Sequence, residues 1–392
     1  MKKLVNFFLP KTIAVIGASN NPEKVGNVLM KKLCECKRTV IPINPNRPEV
    51  EGKKAYPSVL DYKGKIDMAV IAIPAKIVNP VLIKCGKKKI KNVIIISAGF
   101  SEIGNEKLEK QILSTAKKYK IQILGPNCFG VNNPYLKLDT TFSNTSPKPG
   151  STAFISQSGA LFSYVSDFKK NKFSGFVSLG NQAMLTFTDF IEYFNKDPKT
   201  KKIILYIEKL KNGKQFIKSC QKSKKQIIVV KAGQTKKGTE ATISHTGSLA
   251  TDFEVYKGAF KQSKVKVVNS LAEAFGMKKE NPKIKSKKVQ ILTNAGGAAA
   301  LLTDELTKTG HDVKVKDLLG TALAKDYAKS LKKAKNPLVV LTPQKMSEPV
   351  KTAEAIAKSR KKAIACFLGE KSVIRATKIL KNKKIKYYTR AC

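Results

Sequence analysis

The chain has 392 residues with 42% of them apolar, which is too long for one hydrophobic core and sufficient for two or three. Its formal charge of +47 invites a polyanion, but only five of the 75 basic residues are arginines and the lysines are spread along the chain, which favours a general lysine bias over nucleic-acid recognition. Seven scattered cysteines without a CxxC pair and two distant histidines exclude a disulfide-stapled scaffold and give no support to a metal site.

At the N-terminus, Met1–Pro10 carries two lysines but neither the sustained apolar core nor the small-residue cleavage site of a secretory signal, so a cytoplasmic protein is expected. From residue 12 onward, apolar β-rich runs alternate with amphipathic helical stretches, the pattern of parallel α/β architecture. The runs Ile71–Pro74, Val93–Ser97 and Ile227–Val230 are far shorter than a membrane helix requires and read as buried strands. Two breaker-rich or charged passages, LDTTFSNTSPKPG at 138–150 and KKENPKIKSKK at 278–288, read as linkers between units 1–137, 151–277 and 289–392. Three doubly wound parallel sheets in series are therefore expected. Strands fall near Thr12–Ile16, Thr39–Ile43, Met68–Ile73, Val93–Ser97 and Ile121–Leu124 in the first unit. The second has Thr152–Ser156, Gly175–Ser178, Ile203–Ile207, Ile227–Lys231 and Val265–Val268, and the third Val289–Thr293, Leu338–Leu341, Ala363–Phe367 and Ile385–Tyr388.

In GASNNPEKVG, Gly17 follows a strand and a helix starts near Val25, so free backbone N–H groups and the helix dipole meet at the strand's C-terminal edge. That arrangement suits a phosphate, although Gly17 and Gly26 can equally be turn and packing residues. The nicotinamide fingerprint is not met, because Ser19 holds the second glycine's place and Asn44–Pro45 the place of the ribose-binding acid. In FISQSGALFSYV, residues Ser156, Gln157, Ser158 and Gly159 form a second strand-to-helix turn with hydroxyls added, again suited to an anion. Ser158 does not fit a hydrolase elbow, since Ser156 replaces the first glycine of GxSxG.

His245 lies in TISHTGSLATD, a small-residue loop opening a helix near Ala250. Imidazole can take a phosphoryl group and pass it to a second acceptor, although an isolated loop histidine is usually a hydrogen-bonded surface residue. Glu208 stands at the C-terminal edge of a buried strand, where a carboxylate can accept the ring's other N–H and fix its tautomer.

The strings IAVIGASNNPEKVGNVLMKKL, IPINP, VIAIPA, ISAGFSEIG and ILGPNCFG, followed in order by SQSGA, SLGNQA, LYIE, VVKAG and SHTGSLA, resemble the ADP-forming acyl-CoA synthetases, relatives of succinyl-CoA synthetase. The resemblance spans nearly all of residues 12–390 and implies a Rossmann-like CoA-binding domain followed by two flavodoxin-like ligase domains. By the same resemblance Gly17, Ser19, Lys24 and Gly26 cradle the CoA phosphates, and Asn44, Pro45, Ile73, Pro74 and Asn127 line the path of its nucleotide and pantetheine. Lys24 suits a pyrophosphate as a point charge, while an ordinary exposed lysine is the plain alternative. His245 becomes the phosphohistidine with Glu208 as its support, and Asn181 and Gln182 shape that pocket without a chemical step.

Three departures stand out. Lys209 occupies a place that is usually small, and the third domain, although it keeps Gly296–Gly297, has lost length between Asn336–Pro337 and LTPQ. No stretch resembles an ATP-grasp module. The implied protein is thus the alpha subunit of a hetero-oligomer whose ATP-grasp beta subunit holds ADP or ATP with Mg²⁺, acting on CoA and a small organic acid. The alternative is a non-catalytic CoA-binding or regulatory protein of the same fold, against which the intact His245, Glu208 and SQSG argue.

Overall fold

The computed structural model of the chain describes residues 4–246, 252–359 and 361–392, and their side chains other than those of 244–246. In the first unit, β1 (Thr12–Ile16), β2 (Thr39–Ile43), β3 (Met68–Ile71), β4 (Asn92–Ile95) and β5 (Gln122–Leu124) form a parallel sheet ordered β2-β1-β3-β4-β5. Helices on both faces bury strands such as β3 along their whole length, which is why MAVI is an unbroken apolar run without polar alternation. Helix α1 (Val25–Cys34) is the first crossover.

The second sheet contains β6 (Val131–Asn133), β7 (Leu138–Asp139), β8 (Lys148–Ser156), β9 (Lys172–Ser178), β10 (Lys202–Ile207), β11 (Gln226–Lys231) and β12 (Lys266–Val268), ordered β12-β11-β10-β8-β9-β6-β7. Strands β8 to β12 run parallel, and β6 and β7 add an antiparallel edge. Helix α2 (Ala160–Ser166) follows β8, and α3 (Lys236–Thr246) and α4 (Phe253–Gln262) lie between β11 and β12. The third sheet, β13 (Lys288–Thr293), β14 (Asp312–Asp317), β15 (Pro337–Leu341), β16 (Ile364–Phe367) and β17 (Tyr387–Tyr388), is parallel and ordered β14-β13-β15-β16-β17, with α5 (Gly296–Lys308) after its first strand.

Counted by appearance, the parallel strands of each sheet run 2-1-3-4-5, so the three doubly wound units anticipated from the sequence share one winding. Each has its topological switch point between its first and third parallel strands, where the crossovers diverge and leave a crevice at the C-terminal edge. Among the described residues no helix is long and apolar enough to cross a membrane, and no group of His, Cys, Asp and Glu is arranged to hold a metal.

Two passages differ from the sequence reading. Residues 138–150, expected as a linker, contain β7 and the start of β8, and Thr140, Thr141 and Ser143 are buried. Their hydroxyls do the work of a seam: Thr140 Oγ1 accepts from the Val131 N–H at 2.8 Å, and Lys32 of α1 reaches Asp139 at 2.8 Å and Ser143 Oγ at 3.2 Å. The third unit has one strand more than expected, β14, and the turn at Asn336 (φ 48°) leads directly into β15.

The second and third units are joined by buried carboxylates. Asp167, at the end of α2, accepts from the Glu370 N–H at 2.7 Å, the Ser372 N–H at 2.9 Å and Ser372 Oγ at 2.6 Å. Asp167→Ala is expected to lower the free energy of unfolding by about 2–3 kcal/mol, because those donors lose a charged acceptor in a buried place. Denaturant titration checks this, and a change under about 0.5 kcal/mol would mean that water replaces the carboxylate.

Candidate functional site

At the first switch point β1 ends in Gly17, whose φ of +91° and close approach to the Ala72 carbonyl and the Ile73 side chain leave no room for a Cβ. A Cβ on Gly26 would run into the Gly17 carbonyl oxygen, so both glycines are packing residues, and that packing sets the start of α1 against the strand end. Ser19 is buried in the turn, its Oγ accepting from the Asn21 N–H at 3.1 Å and its carbonyl from Asn27 Nδ2 at 2.9 Å. Asn44 closes the turn from β2 by donating Nδ2 to the Ala18 carbonyl at 2.8 Å. Lys24, the N-cap residue of α1, is exposed, as are Pro45 and Pro74. The first switch point therefore gathers Gly17, Ser19, Gly26, Asn44 and Ile73.

Asn127 is reached through Ser97, whose Oγ accepts from the Ile73 N–H at 3.1 Å and whose carbonyl accepts from the Asn127 N–H at 2.9 Å. Asn127 Nδ2 then donates to Asn181 Oδ1 at 3.3 Å, and Asn181 Nδ2 donates to Glu102 at 2.7 Å and Glu109 at 2.9 Å. The neighbouring Gln182, at φ 52° and buried, donates Nε2 to the Lys209 carbonyl at 3.4 Å. Polar groups thus lead from the first switch point to Asn181, whose chain neighbour Gln182 bonds at the second.

At the second switch point, between β8 and β10, Ser156 Oγ donates to the Ser158 carbonyl at 2.6 Å and curls the chain into α2. Gln157 Oε1 accepts from the N–H groups of Glu208 at 2.6 Å and Lys209 at 2.8 Å, tying the SQSG turn to the end of the neighbouring strand. The carboxylate of Glu208 is buried there. The third unit closes in from the other side. A Cβ on Gly297 would lie 2.6 Å from both Cβ and Oγ of Ser158, and Tyr206 Oη donates to the Gly297 carbonyl at 3.0 Å. Burial, and then the Glu208 carboxylate, push the Tyr206 hydroxyl far above its ordinary pKa, so it acts here as a donor.

Lys231, at the end of β11, is buried, donates Nζ to the Ala232 carbonyl and stands 4.4 Å from the centroid of the Tyr256 ring on α4. Burial pulls its pKa from 10.5 down to about 8, with Asp304 and Glu208 drawing it partly back. His245 falls in the last turn of α3, not in the loop expected from its small neighbours. Its side chain lies outside the described residues, and with it the expected contact to Glu208. Sequence reasoning missed Tyr206, Lys231 and Asp304. The readable signal was a charge or hydroxyl placed alone in an apolar run, as in IILYIE, IIVVKA and AAALLTDEL.

A family model described as a CoA binding domain matches residues 11–134, and one described as a succinyl-CoA ligase-like flavodoxin domain matches residues 149–279. The alpha subunit of acetate–CoA ligase (ADP-forming) II from Pyrococcus furiosus is 41% identical over 360 residues, which cover 89% of this chain and 79% of that one. Acetate–CoA ligase (ADP-forming) I from Archaeoglobus fulgidus is 37% identical over 96% of this chain, which spans only 60% of that relative's length. The solved structure of dinucleotide-forming acetyl-coenzyme A synthetase 1 from Candidatus Korarchaeum cryptofilum, in complex with phosphate and ADP, is similar at a TM-score of 0.68 and 32% identity, covering 100% of this chain and 94% of that chain. Fold and site together define an α/β protein of the CoA-binding, succinyl-CoA-ligase-like class. The chain belongs to the family of ADP-forming acetate and acyl-CoA ligases, in which it is alpha-subunit-like.

Lys231 gives this site a pH signature. Its folded pKa is lowered to about 8 against 10.5, so between those values the unfolded chain binds more protons and this group makes stability rise with pH; below about 8 its full burial cost is present. Relative to wild type, Lys231→Met is expected to be stabilised most below pH 8, with the advantage shrinking as the pH rises towards 10.5. Paired denaturation curves across that window test it, and a constant difference would mean that Lys231 titrates as a surface lysine does.

Proposed function

We propose that the chain is the CoA-binding, phosphoryl-carrying subunit of a reversible NDP-forming acyl-CoA synthetase. The observation that carries the reading is the second switch point, where Gln157 ties the SQSG turn to the strand end bearing Glu208 and polar groups from Asn181 through Asn127 lead back to the first. CoA lies with its phosphates over Gly17, Ser19, Lys24 and Gly26, and its pantetheine runs by Ile73 and Asn127 towards Ser156–Gly159. An oxygen of inorganic phosphate, held by that turn, attacks the thioester carbonyl. The C–S bond breaks, CoA leaves as the thiol with a proton, and an acyl phosphate remains.

A ring nitrogen of His245 then attacks phosphorus, the acid leaves as carboxylate, and an N–P bond replaces the O–P bond. Glu208 offsets the positive charge of the phosphoimidazole. ADP, bound with Mg²⁺ on an ATP-grasp partner, takes the phosphoryl group on its terminal oxygen as the N–P bond breaks, giving ATP. The names of similar chains as alpha subunits support a separate partner. The catalytic demand is positioning and charge stabilisation, which backbone N–H groups and helix starts supply.

Lys24→Glu, a reversal of charge at an exposed side chain, is expected to weaken CoA binding about tenfold or more (~1.4 kcal/mol) without altering thermal unfolding. Calorimetry at fixed salt decides, and equal affinity would remove Lys24 from the site. With the partner and γ-labelled ATP, the wild-type chain is expected to acquire an acid-labile, base-stable label that His245→Ala abolishes while CoA binding survives. Undiminished label in that variant would refute the phosphohistidine.

A further inference from the structure

The chain leaves the second sheet for α3 through Gly233, Gln234 and Thr235, and what receives it there belongs to the third unit. Asp304, buried on α5, accepts from the Gly233 N–H at 2.7 Å, the Gln234 N–H at 2.9 Å, the Thr235 N–H at 2.8 Å and Thr235 Oγ1 at 2.9 Å. Thr235 Oγ1 in turn accepts from the Gly238 N–H at 3.0 Å. A Cβ on Gly238 would overlap Oδ1 of Asp304, so the first turn of α3 sits at a distance that only glycine permits. One turn further along α5, Lys308 Nζ donates to Gln234 Oε1 at 2.6 Å.

This set of contacts has a mechanical consequence. The sequence of α3, KKGTEATISHT, contains a glycine and several β-branched residues and is a weak helix former, so tertiary contacts must set its direction. A carboxylate accepting several charge-assisted bonds at the helix entrance is the strongest such contact in this region. We propose that Asp304 is a positioning residue for the phosphoryl carrier: from the third unit it fixes how α3 departs from the second sheet, and thereby how the histidine in its last turn is presented. The inference rests on the reading that His245 carries phosphate.

The test compares wild type, Asp304→Asn, Thr235→Ala and Gly238→Ala, each with the ATP-grasp partner. Single-turnover labelling from γ-labelled ATP is followed beside steady-state kinetics and CoA calorimetry. Asparagine keeps the volume but turns one acceptor into an NH₂ that faces N–H donors. Gly238→Ala pushes on the same carboxylate from the helix side and decides the matter if Asp304→Asn does not fold. The expected result is a labelling rate and kcat at least about tenfold lower in Asp304→Asn and Gly238→Ala, equivalent to ~1.4 kcal/mol, and a smaller fall in Thr235→Ala. KM for acyl-CoA and the affinity for CoA stay at wild-type values. Labelling of Asp304→Asn at the wild-type rate overturns the proposal alone. A loss of CoA affinity in step with label also overturns it, since Asp304 would then only hold the fold. Absence of acid-labile label in the wild type removes the phosphohistidine and this inference together.

Discussion

Burial of a carboxylate in a chain's interior is tolerable only where several donors converge on it, and in this protein those points of convergence lie between units. Asp167 of the second unit ends among the backbone N–H groups of 370–372 in the third, and Asp304 of the third ends among those of 233–235 in the second. The two exchanges run in opposite directions across one seam. Each removes an orphan acceptor and several orphan donors at once, so neither unit can be displaced without exposing groups in both. Aromatic and aliphatic packing continues across the same seam, with Phe154, Leu161, Tyr206, Ala298 and Leu302 in one core. The SQSG turn therefore has a fixed neighbour in the start of α5.

The shared 2-1-3-4-5 winding explains why three similar sheets do different things. Each creates a crevice at its switch point. In the first unit the crevice is kept open by glycine packing, with Gly17 and Gly26 holding α1 against the strand end. In the second it holds Gln157 and Glu208. In the third, Asn294 ties the ends of the first and third strands together, donating Nδ2 to the Thr342 carbonyl at 2.9 Å and accepting from the Thr342 N–H at 2.9 Å. The third unit meets the candidate site through Gly297 at the start of α5, just beyond the end of β13.

Much of this was legible in the sequence because burial on both faces writes parallel strands as continuous apolar runs, as in MAVI and IILYI. The strands that escaped had the opposite character. DVKVKD, β14, is an edge strand whose alternating charges face solvent, and Val131–Asn133, β6, is short and polar because its buried asparagines serve contacts such as Asn133 Nδ2 to the Phe8 carbonyl at 3.0 Å. The Thr- and Ser-rich passage at 138–150 looked like a linker because hydroxyls mark turns and also satisfy buried backbone, and local sequence does not distinguish the two uses. At the site, the strand-to-helix turn brought out Gln157 and the end of a buried strand Glu208. Asp304 stands out as a lone charge in an apolar run, but its role was not legible, because its donors lie about seventy positions away in sequence and nothing within α5 announces them.

Composition gives the buried acids a further meaning. With 28 acidic residues against 75 basic ones, a carboxylate anywhere on the surface finds a lysine without any special design. Surface ion pairs such as Lys110–Glu106 and Lys257–Glu254 are accordingly local, one helical turn apart, and worth little. An acid withdrawn from that excess of cations is different, because it gives up abundant partners and water and must be repaid by fixed donors. Asp139 at the first seam and Asp167 and Asp304 at the second are acids so withdrawn that organise the assembly. Lys231 is the corresponding cation: set on the Tyr256 ring within the influence of Glu208 and Asp304, it keeps positive potential close to the carboxylates while burial holds its own protonation weak. Under the proposed function the site would hold phosphate and then a phosphoimidazole, which needs both signs of charge at fixed places, and a uniformly basic surface would supply only one.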